Sequence, residues 1–444
     1  MEHAQTLFHS RDFKLELVCA SLARRRRMVV AQQDVIPGGG QGPQGPKLKP
    51  EEAGFSWAKH VRRMTEKQFK LRYRLTFDAF MELLDKMGLR AYLKQSVTSG
   101  RLARNAKWGV EVTEEVKLAM CLRFLAGGDP LDLYMIYDVD RSYVYKCVWL
   151  CVDAVNACLT MEFPLKDVNK LKKIEAEFRA HSKEGVWEGC CGCIDGVDFA
   201  MEAPTLKDVP NPMKYYVDRK HAYCMLCIAI CDYDRRFTYA NVSQVPTTHD
   251  SLAWSATKLG QEIAAGELPA PFFINADAAF TLSSSMITPS GDPNLDDFDF
   301  VQSSNRMPIE CAFGILIRRF GILHKKLRVR FDRRGHLILA CMRLHNYCID
   351  KRIEDETQEL HGLHNVNPGR WTLAPIYDPE GRPVQYLDIL RGPRQRVHAD
   401  DATEKTSTRR KLVQLISNAG ITRPQLPAGV HRKKKRPRGR QGPM

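Results

Sequence analysis

The chain has 444 residues and a net charge of +15, and 44% of its residues are hydrophobic. This length predicts two or three domains, each with its own hydrophobic core. No apolar run is long enough to span a bilayer, and charged residues interrupt the apolar ones at the N-terminus, so neither a membrane protein nor a secretory signal peptide is expected.

Both ends of the chain are basic and are predicted to be poorly packed. Residues 24–27 hold four arginines and residues 432–440 hold seven basic residues, which leaves +4 of the total charge of +15 for the rest. Residues 1–54 are predicted to be disordered and to end in a flexible Gly/Pro linker. Residues 351–444 are predicted to be loop-rich, with one amphipathic helix at 403–418. The basic tail is typical of nuclear import or nucleic-acid contact, so we expect a nuclear protein; a merely solvated tail is the alternative.

Residues 55–185 are predicted to form an all-helical region that resembles a helix-turn-helix. Its clearest helices are predicted at 114–126, 130–137 and 141–158. A third helix placed in this way can enter the major groove of DNA. We therefore expect Arg141 and Lys146, near the start of that helix, to contact DNA. An ordinary three-helix packing unit is the alternative.

Residues 186–350 are predicted to form an α/β domain around a central strand. Strands are predicted at 187–201, 222–232, 236–245 and 271–276, and helices at 250–265, 306–320 and 335–350. This is the order of an RNase H-like mixed sheet with flanking helices. Asp195 lies in the first strand, Asp277 follows the fourth, and Glu310 lies on a later helix. We expect these three carboxylates to face one cleft.

Three converging carboxylates suit a particular chemistry, the cleavage of a phosphodiester bond. Two Mg²⁺ or Mn²⁺ ions about 4 Å apart can activate the attacking oxygen and stabilise the leaving oxygen. Mg²⁺ takes oxygen ligands and is usually held by a few carboxylates together with substrate phosphate. The sequence therefore predicts a two-metal site at Asp195, Asp277 and Glu310.

The chain also carries 14 cysteines, which in the absence of a secretory signal indicate free thiols in a reducing compartment. Cys224, Cys227 and Cys231 form a CxxCxxxC pattern, which raises the alternative of a zinc site. In a strand, however, positions 224 and 227 point to opposite faces, whereas structural zinc sites place CxxC on a tight turn. We expect these cysteines to pack as small buried side chains.

Six short motifs occur in an order that matches one family. They are GCIDGVDF (192–199), DRKHAY (218–223), VPTTHDS (245–251), NADAAF (275–280), SNRMPIECAFGILIRRFGIL (304–323) and LHN (344–346). Over roughly residues 75–350 the sequence thereby resembles the PIF/Harbinger transposases, a family of DDE nucleases that includes domesticated host relatives. It departs from the family pattern at Ala276, Phe280 and Ile317, and none of these departures removes a carboxylate.

The resemblance implies a divalent-metal-dependent DNA endonuclease that hydrolyses or transfers phosphodiester bonds at transposon ends. Asp195, Asp277 and Glu310 would be its catalytic metal ligands. The resemblance also implies DNA as the substrate and a separate Myb-like DNA-binding protein as a partner, and it allows a homo-oligomer. The alternative is a domesticated, non-catalytic DNA-binding or recruitment protein built on the same scaffold.

Basic residues near the motifs are candidates for DNA contact. Lys220 is expected to bind a phosphate. Arg306, four residues before Glu310 on the same helix face, is expected to bind phosphate or to orient that carboxylate. Asp250 is expected to cap its helix or, with His249, to lie near the metal site. The remaining basic residues expected to face DNA are Arg318, Arg319, Lys325 and Lys326.

Overall fold

Helices make up the first part of the described chain. The computed structural model describes residues 55–85, 88–95, 112–353, 376–377, 383–384 and 407–424. The predictions for residues 1–54 and 432–440 lie outside this part of the chain. The helices before the sheet are α1 (Trp57–Arg62), α2 (Glu66–Tyr73), α3 (Phe77–Asp85), α4 (Leu89–Gln95), α5 (Glu114–Leu125), α6 (Pro130–Ile136), α7 (Arg141–Cys158) and α8 (Val168–His181).

The predicted all-helical region is confirmed, and α5, α6 and α7 lie where the hydrophobic pattern places them. Asp129 caps α6 by accepting the backbone N–H of Leu131 at 2.7 Å, and Pro130 occupies the first helical position. The apolar stripe of α7, including Val144 and Val148, is buried. Contact of α7 with DNA stays a prediction. None of the described helices has both the length and the apolar character needed to cross a membrane.

A mixed six-stranded sheet follows the helices. Its strands are β1 (Cys190–Met201), β2 (Tyr216–Val217), β3 (Ala222–Cys231), β4 (Phe237–Asn241), β5 (Phe273–Asn275) and β6 (Met286–Ile287). The strand order is β2-β3-β1-β5-β6, and β4 also pairs with β3. β1 is antiparallel to β3 and parallel to β5, so it is the central strand. The predicted mixed sheet is therefore confirmed, whereas β6 was not predicted.

Helices cover both faces of this sheet. The remaining elements are α9 (Asp250–Ser255), α10 (Lys258–Ala264), α11 (Asp296–Arg319), α12 (Phe331–Asp350), the short strands β7 (Ile376–Tyr377) and β8 (Pro383–Val384), and α13 (Ser407–Asn418). Alternate side chains of β1 point to opposite faces. Cys193 and Val197 join a large core with α11, α12 and the helical region, while Ile194 joins a smaller core with α9 and α10. Tyr347 of α12 donates a hydrogen bond to the carbonyl of Ala79 in α3 at 2.8 Å. The helical region and the sheet therefore share one core.

Two predicted elements are interrupted or shortened by side chains that bond to the local backbone. The single helix predicted at 250–265 is broken at Thr257. Its Oγ1 donates to the carbonyl of Trp254 at 2.7 Å and accepts the N–H of Gly260 at 3.0 Å, which closes α9 and caps α10. β4 ends at Asn241, earlier than predicted, because its Oδ1 accepts the N–H of Ser243 at 3.1 Å and turns the chain.

Helix α11 is longer than predicted and begins at Asp296 instead of residue 306. Pro308 lies inside the helix and lacks the N–H that would bond to the carbonyl of Ser304. Because proline is typical of a first helical turn, the pattern favours a start near residue 306. The apolar side chains at helical spacing in this segment are buried, namely Ile309, Phe313, Ile317 and Phe320.

The C-terminal helix α13, predicted at 403–418, completes the large core. Leu412 and Ile416 are buried in that core. Arg409 donates to the carbonyl and to the hydroxyl of Thr288 at 2.9 and 3.2 Å. Beyond α13, the backbone N–H of Arg423 donates to Asp297 Oδ1 at 2.7 Å. This part of the chain therefore packs against β6 and the start of α11.

Candidate active site

Asp195 lies in the middle of the central strand β1. The residue is 7% exposed, and its Oδ1 accepts the backbone N–H of Gly196 at 2.9 Å. Cys193, two residues earlier on the same face of the strand, donates its Sγ to the carbonyl of Asn305 in α11 at 3.0 Å. The carboxylate of Asp195 is therefore presented to the face of the sheet that α11 covers.

Strand β5 brings a second acid beside the first. β5 is parallel to β1, and Asn275 pairs with Cys193. Asp277 follows Asn275 by two residues, as Asp195 follows Cys193, so the register places the two acids at the same level of neighbouring strands. Asp277 is 8% exposed, and its Oδ1 accepts the N–H of Ala279 at 2.8 Å, which fixes the carboxylate.

Helix α11 supplies Glu310 and, one turn before it, an arginine that lies between the acids. Arg306 Nη1 donates to Asp195 Oδ2 at 3.2 Å, and its Nη2 is paired with Glu310 Oε1. The arginine is only 4% exposed. Burial lowers the pKa of Arg306, but the negative charges of Asp195, Glu310 and Asp277 more than offset this and raise its pKa above the ordinary value. The guanidinium is thus the shared counter-ion of all three acids.

A pair of buried amides sets the position of α11 against the sheet. Gln302 Nε2 donates to Asn275 Oδ1 at 2.8 Å and to the carbonyl of Ala276 at 2.6 Å. Asn275 Nδ2 donates in return to the carbonyl of Gln302 at 3.1 Å. Gln302, Arg306 and Glu310 are spaced by four residues and share one helix face. The amide pair therefore aims Arg306 and Glu310 at the acids of the strands, and sequence reasoning missed it because amides in an apolar context carry no charge signal.

The chemistry of these donors fits a divalent cation. Carboxylates from three separate segments are the oxygen ligands that Mg²⁺ and Mn²⁺ prefer. Within the described residues, no group of three Asp, Glu, His or Cys side chains is arranged to hold an ion directly. In this arrangement the guanidinium of Arg306 lies between Asp195 and Glu310. The three acids are thus suitable ligands, while Arg306 supplies the positive charge among them.

Asp250 packs against β1 on the face opposite to Asp195. α9 begins at Asp250 itself, with His249 in the N-cap position, so the prediction that Asp250 caps the helix is wrong. A Cβ placed on Gly196 would lie 2.8 Å from Asp250 Oδ1 and 3.1 Å from Ile228 Cδ1. A side chain at position 196 would therefore require Asp250 and Ile228 to shift.

Two residues predicted to contact DNA are instead used inside the protein. Lys220 Nζ lies 2.9 Å from Asp198 Oδ2, and the two side chains are 7% and 4% exposed. Arg319 donates to the carbonyl of Ile353 at 3.0 Å and to that of His345 at 3.4 Å. Both cations are buried and engaged within the protein, and DNA contact by Lys220 and Arg319 stays a prediction. A run of basic residues in a sequence does not reveal which of them face inward.

Other basic candidates remain on the surface. Arg141 and Lys146 on α7 are exposed, as are Lys325 and Lys326 after α11, and Arg318 is partly exposed. Arg306 is not in this group, since its guanidinium is engaged by Asp195 and Glu310. DNA contact by the surface residues stays a prediction.

Comparison with known proteins gives the class to which this fold and site belong. Residues 194–346 match the family model of the DDE superfamily endonucleases, so the chain carries a DDE superfamily endonuclease domain. Asp195, Asp277 and Glu310 all lie within the matched residues.

The chain is also homologous to a particular group of curated proteins. It is 22% identical over 268 residues to "Putative nuclease HARBI1" of Bos taurus, which covers 58% of this chain and 74% of that protein. The identity to the protein of the same name from Homo sapiens is 21% over 268 residues. No solved structure is significantly similar to the chain. The resemblance inferred from the six motifs is confirmed by these matches.

Proposed function

We propose that the protein is a divalent-metal-dependent DNA endonuclease of the transposase type, which hydrolyses or transfers phosphodiester bonds at transposon ends. The observation that carries this proposal is the grouping of Asp195, Asp277 and Glu310 around one guanidinium inside a DDE superfamily endonuclease domain. Three acids from distant segments, two of them nearly buried, share a single positive charge. Such an excess of negative charge is suited to bind cations.

The residues of the site have separable roles in this chemistry. Divalent ions, when bound, supply charge neutralisation and an activated oxygen nucleophile. Asp195 and Asp277 each commit Oδ1 to a backbone N–H, and Oδ2 of Asp195, which Arg306 now contacts, is the oxygen that a cation would take. Glu310 would hold the cation from α11. The rigid strands fix the first two ligands, and the amide pair of Gln302 and Asn275 fixes the helix that carries the third.

The partners follow from the same proposal. We propose Mg²⁺ or Mn²⁺ as the ion in a two-metal site, DNA as the substrate and the nucleus as the location. The basic run at 432–440 supports the last two. The homologous proteins carry the name "Putative nuclease HARBI1", which supports nuclease activity in this chain. A separate Myb-like DNA-binding partner and a homo-oligomer belong to the proposal through the family resemblance.

The test is metal-dependent nicking of DNA by the full-length protein. We expect cleavage of supercoiled plasmid, or of the element's own terminal inverted repeats with a Myb-like partner, in Mg²⁺ or Mn²⁺. Chelation with EDTA should stop it, and Asp195→Asn should lack it. Equal cleavage by wild type and Asp195→Asn would refute the proposed endonuclease activity.

A non-catalytic DNA-binding role on the same scaffold is the second candidate. Arg306 favours it, because this arginine provides the acids with a counter-ion without any metal. Retained DNA binding with no cleavage above the Asp195→Asn background would select this candidate.

The surface of α7 gives a separate prediction about DNA binding. Replacing Arg141 and Lys146 together by Gln should weaken DNA binding and reduce the slope of log K against log salt by about 1.8, since each phosphate contact contributes about 0.9. Fluorescence anisotropy over a range of salt concentrations measures both quantities. Lys172 and Lys173 on α8 provide a control pair of equal charge. An unchanged slope in the α7 variant would show that Arg141 and Lys146 face solvent and do not contact DNA.

A further inference from the structure

An arginine occupies the centre of the candidate metal site, and this placement needs an explanation. Arg306 is 4% exposed and pairs with two of the proposed metal ligands, Asp195 and Glu310. An arginine that contacted only substrate would be expected to be exposed to solvent. The guanidinium instead lies among the acids that would hold an ion.

The charges of the site explain why an internal cation is useful. Asp195, Asp277 and Glu310 contribute three negative charges when ionised, and leaving buried charges without a partner is strongly destabilising. The Arg306 guanidinium offsets part of this repulsion and has a raised pKa for that reason. The pairs of Arg306 with Asp195 and Glu310 therefore allow the acids to lie close together before any metal arrives.

The backbone of α11 does not need to move for the guanidinium to leave. Gln302 holds the helix to β5 through two hydrogen bonds, and Cys193 holds it to β1 through the carbonyl of Asn305. These contacts lie within one turn of Arg306. The arginine side chain has several rotatable bonds, so a displaced guanidinium would leave by side-chain rotation while the anchored helix keeps Glu310 in place.

We propose that Arg306 is an internal cation that occupies the metal site until a divalent ion displaces its guanidinium. The proposal rests on the proposed function, since it concerns the same three acids. It makes Arg306 a positioning residue that keeps the ligands assembled in the metal-free protein. It also lowers metal affinity, because an incoming ion must break two charge-assisted pairs. A doubly charged ion neutralises more of the negative charge of the three acids than the singly charged arginine that it displaces. Na⁺ or K⁺ carries only one charge and brings no such gain.

The experiment measures Mn²⁺ binding directly, with full-length protein and no DNA. Free Mn²⁺ is followed by electron paramagnetic resonance during titration, and thermal unfolding is recorded with and without Mn²⁺. Arg306→Gln should bind Mn²⁺ at least about tenfold more tightly than wild type, a change of about 1.4 kcal/mol. Its Tm should fall below that of wild type without metal and should recover in saturating Mn²⁺.

Arg318→Gln is the matched control for loss of charge. It removes the same charge from the same helix, eight residues beyond Glu310, or about 12 Å along the axis. Its affinity for Mn²⁺ should stay within about twofold of wild type, since a partly exposed charge at that distance is largely screened. Equal tightening in both variants, or no tightening in Arg306→Gln, overturns the proposal.

Two further variants keep the result interpretable. If Arg306→Gln does not fold, Arg306→Lys serves instead. The point charge of lysine makes fewer fixed hydrogen bonds, so Mn²⁺ should still bind more tightly than in wild type. Unchanged affinity overturns the proposal.

Asp195→Asn tests the metal site itself. Equal Mn²⁺ binding in wild type and Asp195→Asn refutes the proposed function. Binding that Asp195→Asn loses but Arg306→Gln leaves unchanged refutes only the role of Arg306.

Discussion

Replacing Asp277 by Asn is expected to reduce DNA cleavage about a thousandfold while the protein remains folded. An asparagine amide oxygen can still accept the N–H of Ala279, the bond that now fixes the side chain at 2.8 Å. The variant therefore keeps the local shape and loses only a negative charge. Losing one charged metal ligand removes about 4 kcal/mol of transition-state stabilisation, which corresponds to about a thousandfold in rate.

The measurement is the single-turnover rate of plasmid nicking in Mg²⁺, with thermal unfolding as a check on folding. Asp292→Asn is a matched control, because Asp292 also accepts the backbone N–H two residues ahead, that of Asn294 at 2.9 Å, but lies outside the site. This control should cleave within about twofold of wild type, in keeping with the small effects of surface substitutions. Cleavage by Asp277→Asn at the wild-type rate would remove Asp277 from the set of metal ligands.

Replacing Gln302 by Leu is expected to destabilise the protein by about 3 kcal/mol and to reduce cleavage as well. The change leaves Asn275 Oδ1 and the carbonyl of Ala276 without the donor that both now use. Each buried polar group left unsatisfied costs about 1–3 kcal/mol. Cleavage falls because the same amide holds α11 in the register that directs Glu310 toward Asp195.

Chemical denaturation gives the free energy of unfolding, and nicking assays give the rate. Gln414→Leu is the control, since Gln414 is an exposed helix residue whose amide donates to Asn418 Oδ1 at 2.8 Å. It should change stability by less than about 0.5 kcal/mol. The double variant of Gln302→Leu with Asn275→Ala should lose less than the sum of the single losses, because the two side chains form one interaction. Strict additivity would contradict the proposed pairing.

Local patterns in the sequence were sufficient to predict the elements that carry the acids. Apolar runs predicted β1, β3 and the strand before Asp277, since burial of a strand is recorded in its own residues. The spacing of four residues placed Arg306 beside Glu310 on one helix face. These relations depend on residues close together in the chain, which is why a single sequence reveals them.

Relations between distant segments could not be predicted in this way. The pairing of Cys193 with Asn275 sets the level of Asp277 against Asp195, and nothing in either segment alone fixes that register. The reach of Arg306 across to Asp195 depends on how α11 lies on the sheet. The burial of Lys220 against Asp198 likewise depends on the tertiary structure, whereas the sequence shows only a lysine in a basic motif.

Helix α13 links the folding of the endonuclease core to the timing of protein synthesis. α11 ends at Arg319, whereas α13 begins at Ser407 and places Leu412 and Ile416 in the same core. Chains are synthesised at about 5–20 residues per second, so about 4–18 s separate the two elements on the ribosome. During that interval the apolar surface that α13 will cover is open to water. The core to which Leu412 and Ile416 belong is therefore complete only after residues 407–418 have been made.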